Sequence, residues 1–516
     1  MRHLLFIALL LLLTFCAEAR AVSIQVLPPW TRLAATSVVG ADYHDGICLS
    51  KGETGSVQMA VWGASPSYPV SWTSPAELAV TGYSEVWTYT AHDSIHWYPD
   101  GLRPLANGGA LTLDGTKPGA VWLDVRASRT MAAGTYSVSV TVAGVTKAIP
   151  VTIYWFALPE KPALQSAIGT WPASSTKNGC RGKLAAELLL LDNRLMATFI
   201  DATHAATLAT AGQTQAHVGG YASLSGSNVS TPKPSATTVD GWVAKYQPLR
   251  PYSYLQDEEY AASTLAALDA YSVNTVGRSR RMMTTTITSA SAWLDITCVL
   301  YKFITDPLVS GRLAAGREVW GYQTLKQDSF TPHWLLDCNY AEHSLSSGFL
   351  SWRYKLTGLL YWRADYWKVG TDPWTSADGY GVTYPGEALW LLPLPDGTFA
   401  PTIRLKWMRD GVNTFDYLTL LKAAGQEEFA DQITRMVASS WTNWSRDGAA
   451  IETARRLLGK KLDELARPKT VVRTDSYSID ATAYPDEPSA MAAGEAILRA
   501  SGAPVTVTRS SRMVLQ

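Results

Sequence analysis

The chain has 516 residues with 44 Lys plus Arg against 44 Asp plus Glu, a balance that gives no electrostatic footprint for nucleic acid or anionic lipid. Charged residues make up only 17% and hydrophobic residues 47%, which excludes a disordered chain and leaves apolar surface for more than one core. The 20 Trp and 24 Tyr are the outliers. Aromatic rings stack on the apolar faces of sugars as well as filling cores, so an oligosaccharide or glycoconjugate glycan is the partner this composition suits.

Residues 1–21 read as a secretory signal. Arg2 and His3 open it, an apolar run follows from Leu4 to Phe15, and Ala17-Glu18-Ala19-Arg20-Ala21 is a small-residue cleavage site. The run falls short of the roughly 20 residues a membrane span needs. Phe15 is bulky where a lipoprotein signal carries a small residue before its cysteine, here Cys16. Cleavage after Ala19 or Ala21 is expected, giving a secreted or periplasmic protein with no integral membrane segment. Cys48, Cys180, Cys298 and Cys338 then remain, without CxxC spacing. One or two disulfides suit an exported protein, and the spacing names no pairing.

From residue 22 to about 160 the pattern is all-β. Val57-Gln58-Met59-Ala60-Val61-Trp62 and Tyr136-Ser137-Val138-Ser139-Val140-Thr141-Val142 alternate, and Gly and Pro clusters separate such runs. This predicts a β-sandwich domain over 22–160. Pro159-Glu160-Lys161-Pro162 is a stiff boundary. Beyond it strands and helices alternate: strand 165–170 ending at Trp171, helix 182–195, strand 197–200, a long loop over 206–240, strand 252–255, helix 261–271, then strands near 281–286, 293–299, 317–322 and 358–362. That grammar predicts a (β/α)8-type TIM barrel over 161–466, finished by helices at 403–424, 427–441 and 447–465. Residues 467–516 form a C-terminal extension with strand-like pieces at 470–473 and 504–509 around a helix at 489–501, and its role is not legible.

Tyr252-Ser253-Tyr254-Leu255-Gln256-Asp257-Glu258-Glu259-Tyr260 is an aromatic strand running into three carboxylates. Charge is scarce in this chain, and clustered acids raise one another's pKa, which supplies a protonated acid beside an ionised one. The plain alternative is a solvated turn whose acids favour the next helix N-terminus. Catalytic groups of a barrel stand at C-terminal strand ends, where Trp171, Asp257 with Glu258, and Tyr361-Trp362 with Asp365 all fall. No HExxH, G-x-S-x-G elbow or Gly-rich phosphate loop is present, so neither a catalytic metal nor a cofactor is expected.

Several stretches share a resemblance. Gly381-Val382-Thr383-Tyr384-Pro385-Gly386, then Thr402-Ile403-Arg404-Leu405-Lys406-Trp407-Met408-Arg409-Asp410-Gly411, resembles the closing signature of the glycoside hydrolase family 123-like (DUF4091-type) catalytic domain. Gly358-Leu359-Leu360-Tyr361-Trp362 resembles its GFLYW strand, and Tyr254-Leu255-Gln256-Asp257-Glu258 its YLxDEP strand end. The resemblance spans roughly residues 50 to 465. It implies a retaining exo-glycosidase for β-linked N-acetylhexosamine, N-acetylgalactosamine favoured, in which the sugar's own acetamido oxygen attacks the anomeric carbon and forms an oxazolinium ion. Glu258 would be the general acid/base and Asp257 would orient the acetamido group. Both acids can share one pocket only if the strand ends or bulges there, since strand neighbours point to opposite faces. Trp171, Tyr254, Trp320, Tyr322, Tyr361, Trp362 and Asp365 are the candidate substrate-binding residues. Arg404, Arg409 and Asp410 sit on a helix and are expected to hold the C-terminal helices by ion pairing. The chain departs from the pattern at Glu259, where Pro is usual, and at Asp365, where Asn is common. A non-catalytic carbohydrate-binding protein on this scaffold and a glycosidase of another sugar specificity are the alternatives.

Overall fold

A computed structural model describes residues 22–468 and scattered positions between 488 and 496. The leader with Cys16 and the strands expected at 470–473 and 504–509 lie outside the described residues, as does most of the helix expected at 489–501. Among the described residues no helix is long and apolar enough to cross a membrane. Cys48, Cys180, Cys298 and Cys338 are all free thiols rather than disulfide partners.

The first half builds two five-stranded sheets. One runs in the order Ser23–Leu27, Thr54–Trp62, Gly119–Ala127, Leu78–Tyr89, Trp97–Leu105, and the other Ile47–Lys51, Val145–Ala157, Gly134–Val142, Ser67–Thr73, Ala110–Thr112. Alternation does what it predicts. Val121, Leu123 and Val125 share a core with Val138, Val140 and Val142 of the other sheet. The Gly119–Ala127 strand is nevertheless buried on both faces. Its other face carries Trp122, packed into the large core of the second half, and Asp124, which meets Lys406 at 2.8 Å and Arg409 at 3.1 Å.

The second half holds a seven-stranded parallel sheet in the order Gln165–Ile168, Gly358–Tyr361, Glu318–Tyr322, Ile296–Leu300, Arg280–Thr284, Arg250–Tyr254, Gln215–His217. Its two edge strands are joined by side chains instead of a ladder. Gln215 Nε2 donates to the Ser166 carbonyl at 3.2 Å, and Gln213 Nε2 to the Ala197 carbonyl at 2.9 Å. Among the described residues no ladder closes these two edges, so they do not form the regular eight-stranded barrel expected from the sequence. The strand expected at 197–200 is reduced to one bridge, Ile168 with Ala197. The loop expected over 206–240 instead contains helix Ala205–Ala211, strand Gln215–His217, a short hairpin and helix Ala236–Lys245.

The inner face of this sheet is a layer of its own, formed by Tyr252, Tyr254, Cys298, Trp320, Tyr322 and Leu360 among others. Its strands pack to helices on the outside, and the long helix Ile403–Ala423 is buried along nearly its whole length. That helix lies against Tyr340–Ser347, and a Cβ on Gly411 would come within 1.9 Å of Ser347 Oγ and 2.4 Å of the Ser344 carbonyl. Only glycine allows this approach. Arg404 forks onto Asp100 with two contacts of 2.9 Å, and Arg455 pairs with Glu53. Thus Arg404 and Arg409 hold the long C-terminal helix by ion pairs to Asp100 and Asp124 of the sandwich strands, while Asp410 pairs with Arg409 on the same helix.

Candidate active site

The strand Arg250–Tyr254 stops at Tyr254, and the chain then breaks its alternation: Glu258 has φ +51°. A glutamate in the left-handed region costs on the order of 1–3 kcal/mol, so its surroundings must hold it there. They do so through hydrogen bonds. The Glu258 N–H donates to Thr284 Oγ1 at 2.7 Å, and the Asp257 N–H to Gln256 Oε1 at 2.8 Å. Thr284 ends the neighbouring strand Arg280–Thr284, so the two strand ends lock together.

The same break aims both carboxylates at the inner-face tyrosines. Asp257 Oδ1 accepts from Tyr254 Oη at 2.6 Å and from Thr284 Oγ1 at 2.6 Å. Glu258 Oε1 accepts from Tyr322 Oη at 2.8 Å. Burial, reinforced by the adjacent carboxylate, pushes the Tyr254 and Tyr322 phenols far above their ordinary range, so both remain donors. Among the described residues Asp257 Oδ2 and Glu258 Oε2 receive no such bond, and both side chains are exposed. Each acid is anchored by one oxygen and presents the other.

Further along the rim, Trp362 follows the Gly358–Tyr361 strand and donates its indole N–H to Glu387 Oε1 at 2.6 Å. Glu387 is buried and also accepts from Thr324 Oγ1 at 3.1 Å and the Leu325 N–H at 3.2 Å. Burial raises its pKa, against the lowering pull of Trp362, Thr324 and Leu325. Tyr380 stands edge-on to Trp362 with centroids 5.7 Å apart. Trp171 is 41% exposed, and its indole donates to the Trp362 carbonyl at 3.1 Å.

Of the residues singled out in the sequence, Asp257, Glu258, Tyr254 and Tyr322 come together, with Trp171 and Trp362 on the rim. Three others do not reach the opening. Trp320 points inward like Tyr322 but one layer deeper, fully buried over Gly358, where a Cβ would stand 2.4 Å from its indole. Tyr361 alternates away from inner-face Leu360 and is buried on the helix side, its hydroxyl accepting the Ala388 N–H at 2.7 Å. Asp365 is fully buried. It pairs with Arg363 at 2.8 Å and accepts the Cys180 N–H at 2.7 Å and the Trp171 N–H at 3.1 Å. A carboxylate so occupied pins loops and is not placed for the sugar contact expected of it.

Residues the sequence did not point to complete the site. Thr284 touches both acids, Gln256 holds the Asp257 backbone and Tyr221 Oη at 2.7 Å, and Glu387 holds Trp362. His217 accepts the Tyr254 N–H at Nδ1, at 3.1 Å. A threonine ending a strand carries no pattern of its own, and His217 falls in the stretch that read as loop. Among the described residues no group of three His, Cys, Asp or Glu side chains could hold a metal ion.

No family model matches the chain, and no curated protein matches it. Among solved structures it is similar to a family 123 glycoside hydrolase from Clostridium perfringens, described in a structural analysis of glycolipid glycan hydrolysis. That likeness is at 12% identity over 86% of this chain and 99% of that one, with a TM-score of 0.60. At this identity the likeness establishes a shared fold: multidomain, rich in sheet, with the sandwich preceding the curled parallel sheet. A putative alpha-galactosidase from Bacteroides fragilis aligns over 54% of this chain and 50% of its own at 10% identity with a TM-score of 0.15, too little to carry an argument.

Proposed function

We propose that the protein is an exported glycosidase that removes β-linked N-acetylhexosamine, N-acetylgalactosamine foremost, by substrate-assisted retention. The observation that carries this reading is the adjacent pair Asp257 and Glu258, each tied down by one oxygen and open at the other. Two acids on a single strand end stand on one side of a bound sugar. That arrangement suits a nucleophile supplied by the substrate, a recognised exception to the scheme of two carboxylates flanking the glycosidic bond. The fold shared with a family 123 glycoside hydrolase supports the same reading.

In this mechanism Asp257 Oδ2 accepts the acetamido N–H, orienting the carbonyl oxygen toward the anomeric carbon and stabilising the charge that develops. As the carbonyl oxygen bonds to that carbon, the glycosidic bond breaks, and its electron pair leaves with the aglycone oxygen, which takes the proton from Glu258. Glu258, now a carboxylate, then removes a proton from the water that attacks the anomeric carbon and reopens the oxazolinium ring, restoring the acid. Tyr322 fixes Glu258 by Oε1, leaving Oε2 to carry the proton. Trp171 and Trp362 would offer ring faces to the sugar. The division into a bracing sandwich over 22–160 and a catalytic portion over 161–466, and export by the leader, belong to this proposal.

The test is hydrolysis of paired chromogenic glycosides, a β-N-acetylgalactosaminide beside a β-galactoside, by the native protein, Glu258→Gln and Asp257→Asn. Turnover of the acetamido sugar alone, lost in both variants, is expected. Cleavage of the plain galactoside would mean a nucleophile from the protein and sink the substrate-assisted mechanism. No turnover of either sugar would favour a carbohydrate-binding protein on this scaffold, to be checked by glycan binding.

A further inference from the structure

His217 ends the edge strand Gln215–His217, in register with Tyr252 of the strand that leads to the acids. Its ring takes over where the ladder stops: the Tyr254 N–H donates to His217 Nδ1 at 3.1 Å. A backbone N–H can only donate, so Nδ1 must be the unprotonated nitrogen. The proton of the neutral ring then sits on Nε2. The ring is walled by Phe199, edge-to-face at 5.4 Å and 88°, and by Tyr252, tilted at 5.9 Å. Burial pushes its pKa down to about 4, with the nearby Arg181 charge adding to the effect, so it stays neutral at ordinary pH. The side chain is partly exposed, and among the described residues nothing accepts from Nε2. Capping the Tyr254 N–H accounts for Nδ1 but leaves a fixed, neutral donor without a partner, on the strand end next to the one that leads to the acids.

We propose that His217 is a specificity-determining residue whose Nε2–H donates to a ring hydroxyl of the N-acetylhexosamine held over Asp257 and Glu258. The proposal rests on the glycosidase reading above. The relay is short: His217 holds the backbone of Tyr254, and Tyr254 Oη holds Asp257 Oδ1 at 2.6 Å. A neutral donor walled by aromatic rings suits a hydroxyl better than a charged group, because an ion brought there would lose hydration with no opposite charge on the ring to offset it. The tautomer is fixed by the backbone, so the donor needs no rearrangement when sugar binds.

Two measurements on the intact protein decide this. In ring ¹⁵N spectra, His217 should show a protonated Nε2 and an unprotonated Nδ1 from neutral pH down to about pH 5, and the Nε2 signal should move on adding N-acetylgalactosamine. In kinetics, 4-nitrophenyl β-N-acetylgalactosaminide is compared with its 3-, 4- and 6-deoxy analogues. One deoxy position should cost the native protein about tenfold in kcat/KM, the scale of a lost neutral hydrogen bond, and cost His217→Phe nothing further, whereas His217→Gln, whose amide N–H can still donate, should keep much of that penalty. A merely structural role would lower kcat/KM for all four substrates alike. Equal deoxy penalties in the native protein and His217→Phe, a proton on Nδ1, or an Nε2 signal unmoved by the sugar would overturn the proposal while leaving the glycosidase reading intact. If the native protein cleaves none of the substrates, the glycosidase reading fails and the proposal with it.

Discussion

Thr284 Oγ1 accepts the backbone N–H of Glu258 at 2.7 Å while donating to Asp257 Oδ1 at 2.6 Å. One hydroxyl thus holds the strained φ +51° backbone of one acid and the carboxylate of the other. It converts a strand end into a site where two consecutive residues work side by side.

Thr284→Val keeps the shape and removes that hydroxyl. The Glu258 N–H loses its partner, at a cost of about 1–3 kcal/mol in local stability, and both carboxylates lose registration. On the proposed reaction, kcat should fall by roughly a hundredfold, the scale of a misplacement of about 1 Å. Thr284→Ser should recover most of it. Steady-state kinetics of both variants check this, and a Thr284→Val protein with native kcat would show that the hydroxyl does not position the acids.

Glu387 presents its carboxylate to the Trp362 indole at 2.6 Å from a buried position. Glu387→Ala leaves that N–H and the Leu325 N–H unpartnered, freeing the Trp362 ring on the rim. Glu387→Gln still offers an amide oxygen to the indole. If Trp362 is a sugar platform, KM should rise severalfold in Glu387→Ala with a smaller change in kcat, and much less in Glu387→Gln. Equal KM values across the three proteins would remove Trp362 from the binding surface.

How much of this was legible depends on what each residue's role leaves in the sequence. Asp257 and Glu258 stood out because consecutive acids at an aromatic strand end are rare in a chain with so little charge. The need for a break there follows from the two-residue period alone, and the φ of Glu258 supplies it. The sandwich was readable from the same period. Trp320, Tyr361 and Asp365 misled because sequence places a residue near a strand end without giving its depth or face. Trp320 lies one layer too deep, Tyr361 points outward, and Asp365 is consumed by Arg363, Cys180 and Trp171. Thr284 and His217 act through a single hydroxyl and a single ring nitrogen from other strands, and partners set by tertiary pairing leave no local spacing to find.

Gly411 explains one element of the closing signature by packing alone. The added methyl of Gly411→Ala would sit 1.9 Å from Ser347 Oγ and 2.4 Å from the Ser344 carbonyl, where backbone cannot yield cheaply. Overpacking of this kind costs about 1–3 kcal/mol or more, despite alanine's better helix propensity. Thermal denaturation should show a clearly lowered midpoint for Gly411→Ala, whereas Gly241→Ala, in a helix where the new Cβ meets nothing, should not be destabilised. A Gly411→Ala protein as stable as the native one would mean the two helices separate at little cost.

Asp124 joins the sandwich to the buried helix, and its charge gives the joint a pH dependence whose sign can be worked out. Burial by itself would raise its pKa, but Arg409 and Lys406, with hydrogen bonds from Lys406 and Ser56, outweigh that and hold the carboxyl well below its ordinary 3.8. A carboxyl depressed in the folded state contributes its full stability above the unfolded value and loses it as pH falls toward the folded one. Asp124→Asn strands two buried cations and should cost about 3–5 kcal/mol near neutrality. The gap between native and variant proteins in unfolding free energy should then narrow as pH falls below about 4. Asp410, beside Arg409 in the same cluster, titrates in the opposite sense. Burial pushes it up to about 6 against the pull of Arg409 and Arg455, so its contribution declines as pH rises toward 6. The Asp124 charge is the smallest of the causes named for that rise, so Asp124→Asn shifts Asp410 less than it removes in its own pairs with Lys406 and Arg409. Lys406 is lowered by burial, a shift that the Asp124 charge opposes. Denaturant unfolding of the two proteins from pH 7 down to pH 3 reads the gap directly, and a gap that stayed constant across that range would show that Asp124 does not hold its charge against the two cations.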